Sequence, residues 1–156
     1  KKDKGPPGTV ADNREARFNF EIVEKWECGI ELKGTEVKSC RAGKITIRDG
    51  YARIEPDGQL NLVNVHIAKH FTTAGFFNHE EIRNRRLLAH KSEINKMGRQ
   101  LATKGLTLVP LKAYFNEKGY LKVEVGLCRG KKLADKRDTL KGRDQEKSMK
   151  RELKSL

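Results

Sequence analysis

Two tight-turn signals, each flanked by alternating apolar residues, constrain the fold of this chain more than any other feature. The first turn is Pro56-Asp57-Gly58-Gln59 and the second is Asn116-Glu117-Lys118-Gly119. Pro, Asn, Asp and Gly supply the backbone angles that a chain reversal needs, and alternation of apolar and polar residues is typical of strands. Each turn therefore predicts a β-hairpin. The hairpin arms are 51–55 with 60–67, and 106–115 with 120–127.

Further strands are predicted by shorter stretches of the same period. Apolar residues alternate through 18–32, starting at Phe18, and a second alternating stretch begins at Ile45 and Ile47. Several short strands with one or two helices indicate a mainly β protein. The architecture that this order favours is a small closed or nearly closed antiparallel barrel.

Two helices are predicted between the strands. The first covers 35–41, with Thr35 as a possible N-cap and Gly43 just past the end. The second covers 92–103, where apolar residues recur at helical spacing and a glycine again follows. A basic segment, 83–88, comes directly before this second helix.

Composition divides the chain into three parts. Residues 1–12 begin with a polar stretch that contains Gly and Pro, and they are predicted to form a flexible N-terminal arm. Residues 13–129 carry the periodic apolar signal of the barrel. Residues 130–156 are dominated by charged residues and cannot bury enough apolar surface to offset the entropy of ordering. Helix formers are frequent after Gly142, so this basic C-terminal tail is predicted to become helical on a partner.

Charge points to a polyanionic partner. The chain has 34 Lys and Arg against 21 Asp and Glu, which gives a formal net charge of +13. Such an excess favours nucleic acid first and an anionic membrane surface second, with solubility alone as the plain alternative. No apolar run approaches the roughly 18 residues that a membrane-spanning helix needs.

The sequence offers little support for an enzyme, a metal site or a cofactor. His66 and His70 are four residues apart, but they lie in a strand and loop rather than on one helix face. The carboxylates are scattered, which argues against paired acid–base catalysis or a two-metal nuclease. The three cysteines are widely spaced and are expected to be separate buried or half-buried thiols.

A basic β domain can bind structured RNA through cations that meet phosphates and aromatic rings that stack on bases. Guanidinium groups suit both tasks. The Arg83-Asn84-Arg85-Arg86 run therefore favours RNA binding more strongly than any single basic residue, which is more often a solvated surface charge. His79 and His90 are interpreted as surface or RNA-contacting groups. The candidate cations are Lys38, Arg41, Lys44, Arg83, Arg85, Arg86, Lys91 and Lys122.

Six short blocks occur in a fixed order along the chain. With these blocks the chain resembles the family of SsrA-binding proteins, also called small protein B, over about residues 13–144. The stretch GTEVKS-x-RAGK is distinctive by itself. The blocks are NR-x-AR at 13–17, ECGI at 27–30, GTEVKS-x-RAGK at 34–44, RLL-x-HK-x-EI at 86–94, GLTLVPL at 105–111, and GKK followed by DKR at 130–137.

The resemblance implies an OB-like antiparallel β-barrel with short flanking helices that binds the tRNA-like domain of transfer-messenger RNA, the SsrA RNA. The two together would enter stalled ribosomes for trans-translation, in which the nascent chain is tagged for degradation. The tail would be disordered when free and helical on the ribosome, in the empty mRNA channel near the decoding centre. The implied partners are transfer-messenger RNA, the small ribosomal subunit and elongation factor Tu. The implied state is a monomer in the bacterial cytoplasm, or alternatively in an organelle of bacterial descent such as a plastid.

Family RNA-binding positions fall on Asn13, Glu27, Leu88 and Lys122. Glu27 is expected to accept hydrogen bonds from base or ribose donors, and Lys122 to meet phosphate. From sequence alone a leucine such as Leu88 is more often a core residue than a nucleotide contact. The full set of predicted RNA-binding residues is Asn13, Arg17, Glu27, Lys38, Arg41, Lys44, Arg86, Leu88, His90, Lys91 and Lys122. The predicted ribosome-binding residues of the tail are Lys131, Lys132, Asp135, Lys136 and Arg137.

Two positions depart from the family pattern. This chain has Ala134 where members often carry an aromatic residue or His, and Phe18 where His is common. Phe keeps a ring for stacking but lacks the hydrogen-bonding nitrogens of His. The alternative function that the sequence leaves open is a general single-stranded RNA-binding or structural ribosomal protein.

Overall fold

Both predicted hairpins are present in one antiparallel sheet, but the arm predicted over 60–67 ends at Val63, and residues 66–67 pair in a separate small sheet. The computed structural model describes residues 8–70, 78–103 and 105–131. The helices are α1 (Arg14–Asn19), α2 (Gly34–Arg41) and α3 (Lys91–Leu101). The strands are β1 (Thr9–Asp12), β2 (Phe20–Ile30), β3 (Ile45–Thr46), β4 (Tyr51–Ile54), β5 (Leu60–Val63), β6 (His66–Ile67), β7 (Arg85–Leu88), β8 (Leu106–Phe115) and β9 (Leu121–Gly130).

The main sheet closes on itself. Strands β8, β4, β5, β7, β2 and β9 pair in this order, and β9 also pairs with β8, which completes a ring. β1 adds to β8, while β3 and β6 form a separate two-stranded sheet. Closure pairs the strand edges that would otherwise be free to bind other chains. The prediction of a mainly β, OB-like antiparallel barrel with short helices is confirmed.

Strand β8 pairs with β1, β4 and β9, and it contains a β-bulge. The register between β8 and β9 shifts between Pro110 and Lys112. Proline has no N–H to donate, and an extra residue bends a strand, so the bulge is a natural place for the sheet to curve. The carbonyl oxygens freed there accept from Asn13: its backbone N–H donates to Leu111 O (2.8 Å) and its side-chain amide donates to Pro110 O (3.0 Å).

The core lies inside the ring, and a smaller apolar cluster lies outside it under α1. Alternating residues of β9, among them Val123, Val125 and Leu127, point into the main core. Cys128 is also fully buried because Ala16 of α1 packs with it on the other face of the sheet. All three cysteines are buried free thiols, as expected. Burial raises the pKa of Cys28 to about 11, so this thiol stays protonated and unreactive.

The first helix corrects the sequence-based prediction of a strand from Phe18 onward. The Asn13 side chain accepts the Ala16 N–H at 3.2 Å and caps a helix that runs to Asn19. Strand β2 therefore starts at Phe20, and the apparent alternation of the two phenylalanines spans a helix–strand junction. Residues 9–12, the last part of the predicted flexible arm, form strand β1 and pair with β8.

The other helices are close to their predicted bounds. α2 begins at Gly34, one residue early, and Lys33 rather than Thr35 is its N-cap residue. Gly43 follows it with a φ of +74°, the left-handed conformation that favours glycine after a helix. α3 starts and ends within two residues of the predicted 92–103. None of the helices in the described part of the chain is long and apolar enough to cross a bilayer.

The basic segment 83–88 contains a strand that the sequence pattern concealed. In β7, Arg85 and Leu87 point inward while Arg86 and Leu88 point outward, and Arg85 is fully buried. Because arginine is a polar residue, its inward-facing position in β7 breaks the apolar–polar alternation that would predict a strand. The strand becomes recognisable only when the buried partner of Arg85 is known. That partner is Glu36 of α2, also fully buried, whose carboxylate accepts from Arg85 Nε at 2.5 Å.

Glu36 is the centre of a buried ion cluster made of Glu36, Arg83 and Arg85. Arg83 also donates to its carboxylate, as does the Lys33 N–H at 2.8 Å. Burial opposes ionisation of Glu36, but these hydrogen bonds outweigh it and hold its pKa below the usual value. The remaining donors of Arg85 reach backbone oxygens, including Val65 O at 2.6 Å and Glu81 O at 3.1 Å. The ion cluster therefore ties α2 to β7 and to the segment before it.

Candidate nucleic-acid interface

Four outward-facing residues form a row across four neighbouring strands of the barrel. Leu88 of β7 is opposite Gly29 of β2, Gly29 is opposite Lys122 of β9, and Lys122 is opposite Tyr114 of β8. Residues directly opposite one another in a sheet share a face and lie about 5 Å apart. This cross-strand row therefore brings together an exposed leucine, an amine and a phenol within the reach of one or two nucleotides.

Glu27 joins the cross-strand row through Tyr114. It lies two residues before Gly29, and one of its carboxylate oxygens accepts the hydrogen bond of the Tyr114 hydroxyl. Burial and this hydrogen bond raise the pKa of Tyr114, so the phenol remains a donor at neutral pH. The second oxygen of Glu27 has no partner among the described residues and can accept from a base or a ribose.

A groove opens beside the row, between β2, α2 and the turn that joins β8 to β9. This first groove has a volume of about 370 Å³, and its lining includes Arg41, Leu88, Tyr120 and Lys122. Tyr120 is 66% exposed, which leaves its ring available for base stacking. Arg41 also packs over the Phe115 ring, 5.9 Å from its centroid, which orients its guanidinium group.

Sequence reasoning missed both tyrosines of this surface. A signal for Tyr120 was present, because residues two apart in a strand face the same side and Tyr120 precedes Lys122 by two. Tyr114 could not be found in this way, since its role depends on the register that places it opposite Lys122.

Gly29 allows Leu88 to lie low against the sheet at the edge of the first groove. A Cβ atom at position 29 would come within 3.3 Å of the Leu88 Cβ. A side chain there would be in tight contact with Leu88, which would have to shift by a few tenths of an ångström. Leu88 itself is 45% exposed, so the expectation of a core position for this leucine is wrong.

The remaining predicted RNA-binding residues lie in several places. Arg86, His90 and Lys91 are exposed on β7 and at the start of α3, next to Leu88. Lys38 on α2 and Lys44 just before β3 are exposed, but neither lines the first groove. Arg17 on α1 is also exposed, and it pairs with Asp12 at 2.7 Å.

Most of the predicted ribosome-binding residues lie outside the described part of the chain. These are Lys132, Asp135, Lys136 and Arg137, and the predicted behaviour of the tail is outside it as well. Lys131 is described, and its backbone N–H donates to Asn19 O at 3.1 Å.

The histidines have structural partners. His79 is buried, with one ring nitrogen 2.8 Å from the Thr35 hydroxyl and the other 2.9 Å from Ile67 O. The expectation of a surface position for His79 is therefore wrong. His66 pairs with Glu81 at 2.5 Å. Across residues 8–70, 78–103 and 105–131, no three His, Cys, Asp or Glu side chains are grouped as a metal site requires.

Asn13 is only 2% exposed, and its side-chain amide is occupied by Ala16 and Pro110. Asn13→Ala is therefore expected to lower the free energy of unfolding by about 1–2 kcal/mol, because a helix cap and a buried hydrogen bond are lost. Urea denaturation measures this change. The control is Asn84→Ala, an exposed amide expected to stay within about 0.5 kcal/mol of the parent. Unchanged stability together with weaker RNA binding would instead assign Asn13 a direct contact.

Comparisons with known proteins identify the family of this chain. The family model described as SmpB protein matches residues 10–155. The SsrA-binding protein of Gloeothece citriformis (strain PCC 7424) is 53% identical over 150 residues, 96% of each chain. That of Synechocystis sp. (strain ATCC 27184 / PCC 6803 / Kazusa) is 53% identical over 153 residues, 98% of each chain. The SsrA-binding protein of Symbiobacterium thermophilum is 50% identical over 145 residues, 93% of this chain and 90% of that one.

A solved structure gives the same result at the level of the fold. Its description reads "tmRNA-SmpB: a journey to the center of the bacterial ribosome". One chain of it superposes with a TM-score of 0.65 at 50% sequence identity, covering 79% of this chain and 85% of that one. Because the family model matches residues 10–155 and relatives about 50% identical cover nearly the whole chain, the chain belongs to the SmpB family.

Proposed function

We propose that this protein binds the tRNA-like domain of transfer-messenger RNA and delivers it to stalled ribosomes for trans-translation. The observation that carries the proposal is the cross-strand row: Glu27, Leu88 and Lys122 come from three separate strands and lie on one face beside the first groove. These are the positions at which the family resemblance expects RNA contacts. The protein acts as a binding adaptor and has no catalytic step of its own.

The chemistry of this face suits a folded RNA. Lys122 and Arg41 supply positive charge for phosphates, and Tyr120 supplies a ring for an unpaired base. Glu27 repels phosphate and accepts hydrogen bonds, so it favours a base edge or a ribose hydroxyl at one point of the face. The net charge of +13 accelerates the encounter with any RNA, while this mixed face selects among RNAs.

The ribosomal half of the function belongs to the C-terminal tail in this proposal. Lys131, Lys132, Asp135, Lys136 and Arg137 read the empty mRNA channel near the decoding centre of the small subunit. Elongation factor Tu accompanies the aminoacylated RNA as a third partner. The proposed setting is the bacterial cytoplasm or an organelle of bacterial descent.

The test compares the full chain with a chain that ends at Arg129, from which the whole predicted tail 130–156 is removed. Both are expected to bind transfer-messenger RNA more tightly than an unrelated tRNA or duplex DNA, with affinity that falls as salt rises. Filter binding at several salt concentrations measures this selectivity. In a reconstituted translation reaction only the full chain is expected to support tagging of the nascent peptide.

Equal affinity for transfer-messenger RNA, tRNA and duplex DNA would favour the alternative of a general RNA-binding or ribosomal structural protein. Loss of RNA affinity in the shortened chain would contradict the division of labour between barrel and tail. Either result is distinguishable from misfolding, since urea denaturation of both chains reports whether the barrel is intact.

A further inference from the structure

Leu88 separates two grooves rather than bordering one. The second groove lies between β7, the β4–β5 turn and the start of α3, and its volume is about 420 Å³ against about 370 Å³ for the first groove. Leu88 lines both. Strand β7 is paired with β2 on one side and β5 on the other, so the two grooves lie over neighbouring seams of the same sheet.

The second groove offers hydrogen-bonding groups that can read a base. Its walls include the exposed side-chain amides of Gln59 and Asn95 and the half-buried apolar side chain of Ile94. Neither amide has a side-chain hydrogen bond to any of the described residues. A primary amide presents a donor and an acceptor together, which matches the edge of a nucleobase.

The charges around this groove suit a nucleotide phosphate. Arg86 and Lys91 are both exposed in its lining, and the approach of Arg86 to Glu31 at 3.8 Å is too long for a strong ion pair. One carboxylate, Asp57, lies in the lining, where it already accepts the Gln59 N–H at 3.0 Å. The balance is two cations to one anion, which favours a polyanionic ligand over an acidic or neutral peptide.

We propose that Leu88 inserts between two consecutive bases of the bound RNA, so that one nucleotide occupies each groove. The proposal rests on the proposed function, since both nucleotides belong to the same RNA. Stacked bases of one strand rise by about 3.4 Å, so a leucine side chain between them must open the step. Exposed apolar side chains open base steps in this manner, and the step is least costly in an unpaired loop, where bases are already free to separate.

The assignment of a nucleotide to the second groove predicts a contribution of Asn95 to RNA binding. Asn95→Ala is expected to weaken binding of the tRNA-like domain by about fivefold to tenfold, the loss of one hydrogen bond to a base. Ser92→Ala is the matched control, because Ser92 is exposed on the same helix but does not line the groove. The control is expected to bind as the parent does.

Base separation has its own readout. The fluorescent adenine analogue aminopurine is placed in turn at each unpaired position of the tRNA-like domain, and its emission rises when the base unstacks. Binding of the parent protein is expected to raise the emission at two consecutive positions. Leu88→Ala, at RNA concentrations that saturate it, is expected to abolish this rise while leaving the fold unchanged, because Leu88 is on the surface.

The outcomes separate this inference from the function on which it rests. Parent-like affinity of Asn95→Ala together with an unchanged emission rise in Leu88→Ala would overturn the two-groove arrangement and leave RNA binding intact. Failure of the parent protein to prefer transfer-messenger RNA over tRNA would overturn the proposed function and this inference with it.

Discussion

Glu36→Ala is expected to lower the free energy of unfolding by about 3–5 kcal/mol, the largest effect of any single substitution considered for this fold. The alanine leaves the Arg85 guanidinium, which has no exposed surface, without its carboxylate partner. A buried charge with a broken pair costs far more than the pair itself contributes. Urea denaturation followed by circular dichroism measures the change.

The matched control for Glu36→Ala is Glu15→Ala. Glu15 also pairs with an arginine at close range, 2.7 Å from Arg48, but both side chains are more than half exposed. Exposed pairs contribute less than about 1 kcal/mol, so the control should remain close to the parent. Similar losses in the free energy of unfolding in the two variants would show that burial does not increase the contribution of the ion cluster to stability.

The same carboxyl group makes stability depend on pH in a defined direction. The pKa of Glu36 in the folded protein lies below its ordinary value of 4.5, so folding favours the ionised form. The stabilisation from this group is complete above the ordinary value and is lost as the pH falls through the folded-state pKa. Unfolding experiments between neutral and acid pH should show a smaller acid loss in a Glu36→Gln variant than in the parent.

Lys122→Glu is expected to weaken RNA binding by about one to two orders of magnitude, because it places a like charge against phosphate at the centre of the cross-strand row. The new carboxylate would also lie diagonally across from Glu27, two residues from its direct partner Gly29 on the neighbouring strand. Electrophoretic mobility shift with the tRNA-like domain measures the affinity. The slope of log affinity against log salt should fall by about one, the release of one counterion fewer.

Lys69→Glu is the control for this substitution. It makes the same charge change at an exposed residue just after β6 that lines neither groove, and it leaves the row untouched. It should reduce affinity only through the net charge. Equal losses in the two variants would mean that RNA responds to overall charge and not to the face.

Local chemistry made the hairpins and most of α2 and α3 predictable. The turns 56–59 and 116–119 are predictable from their Pro, Asn, Asp and Gly residues. Apolar and polar residues alternate in the strands around them. The elements that sequence reasoning missed depend on distant partners. β7 is hidden because Arg85 faces inward to Glu36, 49 residues earlier, and α1 is hidden because Asn13 is held by the β8 bulge.

The candidate site shows the same division between local and distant information. The resemblance supplies the positions Glu27, Leu88 and Lys122, and the register of four strands is what aligns two of them with Tyr114. No single-sequence pattern contains that register. The exposure of Leu88 and the burial of His79 likewise depend on packing that the local sequence does not encode.

The ion cluster has a consequence for RNA recognition at a distance from any RNA contact. Glu36 belongs to α2, which carries Arg41, and Arg85 belongs to β7, which carries Leu88. Both elements contribute to the lining of the first groove, so the buried ion pair that joins them helps to fix the positions of Arg41 and Leu88 there. RNA that binds only the folded chain should stabilise it by an amount that grows with the logarithm of the ratio of the RNA concentration to the dissociation constant. Substitutions in the ion cluster would then alter RNA affinity even in the fraction of molecules that remain folded.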